Sequence, residues 1–283
     1  MNTIKSYVKE LVGEFKKDDV PLLAAAQSYY YLLSIFPMMI LILTILPLLN
    51  IDSQAIVTLV QNTAPSGMTS VLEENILSIV ETPRGGLFTI GLIGALWSAS
   101  NGINAFINAS NTAYDIEETR SFLKVRGLSI ALTLGMIIAL AAALILPIFG
   151  NLIIDFISSV VALPPQTELL FQILRWVVAL TIMSAVLLVL YRFAPNKTLK
   201  WKEILPGAVT AAVLWQLISL AFSFYVSNFG NYSATYGSLG GIIILMLWFF
   251  LTGMILMIGA ELNVIYHRRR GKSSTTSAST EET

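Results

Sequence analysis

One carboxylate stands where the sequence gives it no obvious partner. Glu261 follows Ile204–Ala260, a run of 57 residues without an Asp, Glu, Lys or Arg. It precedes Arg268 by about two helical turns. An acid inside an apolar helix must titrate, pair with a cation or accept hydrogen bonds, because burying bare charge is costly. The nearby candidates are a cytoplasmic arginine, Asn263 and a set of asparagines far upstream. That set is Asn101, Asn104, Asn108 and Asn111, at spacings of 3, 4 and 3, which makes one amide stripe on a helix. Amides do not belong against lipid, so the stripe either hydrogen-bonds other helices or lines a hydrated cavity. A third group is Tyr225, Asn228, Tyr232 and Tyr236. Its rings suit an aromatic belt at the outer interface, and its hydroxyls and amides could also hold a headgroup or sugar.

The residues available exclude several chemistries. There is no cysteine and one histidine, His267, so disulfides, thiolate nucleophiles and Cys/His zinc sites are ruled out. Phosphate-loop, His-Glu-x-x-His and paired acidic metal-ligand patterns do not occur, and no catalytic, cofactor or metal site is expected. Asp115, Glu117 and Glu118 are followed by Arg120, Lys124 and Arg126, a mixed run expected in a solvated cytoplasmic loop. Formal net charge is +0, from 17 basic and 17 acidic residues, so no field attracts nucleic acid and no such partner is expected.

The elements that must position these residues are membrane helices. The 283 residues are 55% hydrophobic and 12% charged, against about 25% charged in soluble domains. Mean hydropathy is +0.75. A crossing needs about 20 apolar residues, and the sequence supplies six such stretches, near 28–49, 87–110, 128–150, 169–191, 205–227 and 240–266. The expected fold is therefore all-α, a polytopic transmembrane bundle of six helices. Gly91, Gly94, Ser98 and Gly102 on the second stretch let a neighbour approach closely. Pro37 lies inside the first and should kink it. Arg175, near the start of the fourth, can snorkel to the interface.

Outside the spanning domain, residues 20–267, come two cytoplasmic segments. Residues 1–19 form an amphipathic helix with Ile4, Val8, Leu11, Val12 and Phe15 on one face and lysines on the other. That pattern suits either the headgroup interface or packing on the bundle. Residues 268–283 end in a Ser/Thr-rich tail expected to be disordered. Residues 52–86 form the longest connection, with short amphipathic helices at 55–60 and 71–80, and 156–165 reads as an extracellular surface segment. Of the 17 Lys and Arg, 15 fall on one side of this layout. By the positive-inside rule that side, with both termini, is cytoplasmic.

Several motifs carry a resemblance. They are Ala24–Pro37, Leu96–Ser100 with Asn111–Tyr114, Tyr191–Pro195, Leu205–Gly207, Trp215, Tyr225–Asn228, Tyr236–Gly240 and Gly259–Asn263. Together they resemble the YihY/BrkB family of bacterial inner-membrane proteins over nearly all of residues 1–270. Gln27 stands where the family pattern has alanine. The resemblance implies a multi-pass protein of the bacterial plasma membrane with roles in envelope integrity, serum resistance or lipid handling. It also brings an old label, ribonuclease BN, which the single histidine and short loops argue against. It transfers no catalytic residue.

The combined expectation is a non-enzymatic membrane protein that translocates a lipid or other amphipathic solute. Asn101 to Asn111 and Glu261 would form its polar core, and membrane lipids would be its partners. The alternatives are a non-transporting structural or partner-binding envelope protein, and a membrane ribonuclease of tRNA processing. A homo-oligomer or an envelope protein partner fits the small-residue faces.

Overall fold

The computed structural model describes residues 2–45, 85–137, 165–229 and 239–280, and every regular element among them is an α-helix. In chain order these are α1 (Asn2–Lys17), α2 (Val20–Ile45), α3 (Gly85–Ala113), α4 (122–137), α5 (Pro165–Phe193), α6 (Trp201–Phe229) and α7 (Leu239–Thr280). Trp176–Phe193, Trp201–Asn228 and Leu239–Arg270 are long and apolar enough to cross a membrane. The helices expected at 55–60 and 71–80, the second half of the third stretch, the segment at 156–165 up to Pro164, and Tyr232 and Tyr236 lie outside the described residues, as does the Arg175 side chain.

Helix ends follow local chemistry. α1 stops at Asp18-Asp19, where Asp19 adopts φ 48°, a left-handed conformation that Asp tolerates better than most residues. Its carbonyl then receives Leu22 N–H and Leu23 N–H at 2.8 and 3.1 Å, which starts α2. Pro21 in the first turn donates nothing where nothing is needed. α2 therefore begins at Val20, ahead of the expected start near residue 28. Gln27 and Ser28, in the turns this adds, are buried and bond within the helix to the Leu23 and Ala25 carbonyls.

α3 ends in a Schellman motif. Ile116 N–H reaches the Asn111 carbonyl at 2.9 Å and Asp115 N–H reaches that of Thr112 at 2.9 Å, with Asp115 at φ 54°. α6 opens with half of a capping box: the Glu203 carboxylate accepts Lys200 N–H at 3.0 Å. α7 runs past Arg270 to Thr280, through the segment expected to be disordered. No proline interrupts it, and extending an existing helix costs far less than nucleating one.

The packing has one broad pair, α2 on α3, and α7 then lies against both α2 and α6. α5 packs on α6, and α1 crosses the end of α7. Phe15 of α1 packs on the core, whereas Val8 and Val12 are exposed, so the expected apolar face divides between bundle and surroundings. Of the small residues on α3, Gly102 lies against the Tyr31 ring while Gly94 faces open space.

The α6–α7 crossing is tightest. A Cβ on Gly207 would collide with the Gly259 carbonyl oxygen, and one on Gly259 would collide with the Tyr191 hydroxyl. Gly207 N–H donates to Asn263 Oδ1 at 2.8 Å, and the Tyr191 hydroxyl donates to the Leu256 carbonyl at 2.8 Å. Ala208, Ala211, Ala212 and Ala260 fill the remaining space, each at most 1% exposed. Small residues permit this approach, and dispersion with buried hydrogen bonds then holds it.

Candidate functional site

The α1–α2 turn points into the bundle. Glu14 and Asp18 lie one helical turn apart, on the face that also carries Leu11 and Phe15. This face meets α7 at Glu261. One carboxylate oxygen from each of Glu14, Asp18 and Glu261 lies within 4.8 Å of the other two. Glu261 is 0% exposed and Asp18 8%. Both Glu261 oxygens, Asp18 Oδ2 and Glu14 Oε2 are buried without a hydrogen-bond donor among the described residues. Burial pushes the Asp18 carboxyl above the usual carboxylate range, and the neighbouring Lys17 ammonium opposes that rise.

A rim of ion pairs surrounds the three acids. Arg268 pairs with Glu14 and, at 2.8 Å, with Asp115. Lys17 reaches Asp115 at 2.7 Å and lies 3.7 Å from both Glu14 and Asp18. The hydrogen bond from Lys17 is the main cause that holds the Asp115 carboxyl below its ordinary range. Arg269 pairs with Glu10 at 2.9 Å and stacks over the Tyr7 ring, 3.9 Å from its centroid. α1 is thus tied along the end of α7. His267 Nδ1 lies 3.2 Å from Glu203 Oε2, apart from the three acids.

The asparagine stripe divides among separate tasks. Asn101 Oδ1 accepts Arg126 Nη1 at 2.7 Å, while Arg126 Nη2 caps the Trp97 carbonyl at 2.9 Å and its guanidinium covers the Trp97 ring at 3.5 Å. Arg126, expected in a solvated loop, is 8% exposed. Asn104 is half-buried and Asn108 exposed. Asn111 is a buried hub: its Nδ2 donates to Glu118 at 2.8 Å and its Oδ1 accepts Asn196 N–H at 2.7 Å. Glu118 also receives Arg120 at 2.6 Å, and Arg120 donates onward to the Ala194 carbonyl at 2.9 Å. The Arg120 hydrogen bond is the main cause that lowers the Glu118 carboxyl to about 2.

None of the partners foreseen for Glu261 bonds to it among the described residues, and Asn263 Nδ2 is itself buried without an acceptor there. Asn263 binds the Gly207 backbone, Arg268 binds Glu14 and Asp115, and Asn101 and Asn111 bind Arg126, Glu118 and Asn196. Sequence reasoning missed Glu14 and Asp18, which lie more than 240 positions from Glu261. The available signal was their register, with Leu11, Glu14, Phe15 and Asp18 at helical spacing on the inward face. Of the outer cluster, Tyr225 sits on α6 near the Phe222 ring, with centroids 6.4 Å apart, and the exposed Asn228 donates to the Phe224 carbonyl at 2.8 Å.

Comparison with known proteins places the chain. A family model described as virulence factor BrkB matches residues 11–283. The ribonuclease-like protein YfkH of Bacillus subtilis is 40% identical over 94% of this chain and 96% of its own length. A UPF0761 membrane protein of Photobacterium profundum is 27% identical over 94% of this chain and 82% of its own. One from Vibrio vulnificus is 27% identical over 93% and 83%. No solved structure matches. With a family model spanning nearly its whole length and full-length relatives named as membrane proteins, the chain belongs to the BrkB family of membrane proteins.

Proposed function

We propose that the protein crosses the bacterial plasma membrane six times with both termini in the cytoplasm, and that it moves a lipid or other amphipathic solute across. One observation carries the reading: α7, apolar over Leu239–Arg270, keeps a fully buried carboxylate whose oxygens meet no donor among the described residues. Ionisable groups inside spanning helices are expensive, and transporters retain them to handle ions and polar substrate groups. The apolar surface of α6, with Leu217, Leu220 and Phe224 more than half exposed, suits a path on which acyl chains stay in the bilayer.

The test is lipid exchange in proteoliposomes, followed by bleaching of fluorescent lipid analogues with a membrane-impermeant reductant. Exchange faster than in protein-free vesicles, and slowed in Glu261→Gln at matched reconstitution, is the expected result. Exchange no faster than in empty vesicles overturns it.

A second reading, a non-transporting structural or partner-binding protein, draws on Asn101 and Asn111, which serve as glue between elements. It predicts that Asn111→Ala lowers thermal stability with no change in any flux. The ribonuclease reading comes from the name of the Bacillus relative. It requires RNA cleavage by the purified protein, and the single histidine, held beside Glu203, gives that chemistry little to work with.

A further inference from the structure

The strongest unexplained feature is a charge imbalance at the inner end of α7. Among the described residues Glu14, Asp18 and Asp115 pair with two bases, Lys17 and Arg268, both shared with the outermost acid, Asp115, and Glu261 has no ion pair. The deficit falls on the inner three. Four of their oxygens are buried with no donor among the described residues, two of them on the fully buried Glu261. The Tyr114 hydroxyl is likewise buried without a partner among the described residues. Like charges this close, out of water, require a compensating positive charge between them.

We infer that Glu14, Asp18 and Glu261 bind a single hard divalent cation that clamps the α1–α2 turn to α7. The donor set is all oxygen, which selects the Ca2+, Mn2+ and Mg2+ class over softer metals. Ca2+ holds oxygens at about 2.3–2.6 Å, so two ligands of one ion stand at most about 5 Å apart. The three acids already meet that limit at 4.8 Å. Mg2+ at about 2.0–2.1 Å needs a tighter shell, so Ca2+ fits with less movement. Glu14 comes from the last turn of α1 and Asp18 from the residue just past its end, ahead of the left-handed Asp19, so a bound ion fixes how α1 meets α7. The inference goes beyond the translocation reading, because binding is measured at equilibrium whether or not any lipid moves.

The experiment uses the full chain in phosphatidylcholine nanodiscs, stripped with chelator and titrated with Mn2+, with free Mn2+ read by electron paramagnetic resonance and empty nanodiscs subtracted. The expected result is one saturable site per chain, displaced by Ca2+. Glu261→Gln and Asp18→Asn should each weaken Mn2+ binding by about tenfold or more, the scale of lost metal-site support. Glu203→Gln, an acid at the same bundle end outside the cluster, should bind as wild type. Should Glu261→Gln fail to give monodisperse protein, Asp18→Asn and Glu14→Gln carry the test. Absence of saturable binding to wild type overturns the site. So does equal affinity in wild type and the Asp18 and Glu14 variants, which would leave a shared proton as the compensating charge.

Discussion

The two ends of α6 are built on opposite terms. Near its start, Ile204, Ala208, Ala211 and Ala212 are 0% exposed, packed where Gly207 meets Gly259. Further along, Leu217, Leu220 and Phe224 are 56%, 54% and 64% exposed on an equally apolar helix. Apolar character is the same at both ends, so it does not decide which residues are buried by protein. Residue size and hydrogen bonding decide it. Where side chains are small, helices approach until backbone and buried polar groups bond across; where they are large and apolar, the helix offers a surface to an apolar medium. Protein-specific interactions are therefore concentrated at the end that carries the three acids.

The sharpest way to break this comparison is a large side chain at the crossing. Gly207→Leu places atoms within the Gly259 carbonyl, so we expect a loss of about 3 kcal/mol or more and failure to recover monodisperse protein. Size-exclusion profile and thermal melting in detergent read this directly. A milder cut is Asn111→Ala, which leaves Asn196 N–H without its acceptor and removes one of the donors to Glu118, whose bonds from Arg120 remain. A destabilisation of about 1–3 kcal/mol is expected from the thermal midpoint.

Acid should loosen the same end in a defined window. The folded Glu118 carboxyl is lowered to about 2 from an ordinary 4.5. A lowered acid contributes its full stability above the unfolded value and loses it as pH falls through the folded one. Melting temperature should thus drop between about pH 4.5 and pH 2, and Arg120→Gln should flatten that part of the profile. At the outer half of α6, Leu220→Ala should change stability in detergent by no more than about 0.5 kcal/mol, since little protein packs on it. A large loss there would show that the exposed half is a protein interface.

The membrane helices were legible because charge-free length is a property of a local window. The run from Ile204 to Ala260 needs no tertiary information to be read as spanning. Glu261 was legible for the same reason, as a charge ending that run. The partners of Glu261 were not. Glu14 and Asp18 belong to a lysine-rich segment whose composition reads as solvated, and the face they share with Leu11 and Phe15 is turned inward only by the packing of α1 against α7. The asparagine stripe shows the same divide. Its spacing correctly put four amides on one helix, but position along that helix chose their partners. Asn101 met Arg126 from α4, and Asn111, in the last turn, met the loops that follow α3 and α5. Periodicity finds a face and is silent on what arrives there.

The Tyr191 hydroxyl has a mechanical consequence. It reaches from α5 to the Leu256 carbonyl while Gly207 of α6 holds Asn263, so α7 is pinned on two neighbours by buried hydrogen bonds. Sliding α7 along either one breaks a bond that water cannot readily replace. The α5–α6–α7 group should then behave as a fixed frame, with α1 tied to its end by the Arg268 and Arg269 ion pairs and the α2–α3 pair as the part that can shift against it. Distance labels placed across α3 and α7 would register such a shift, and labels across α6 and α7 would stay constant.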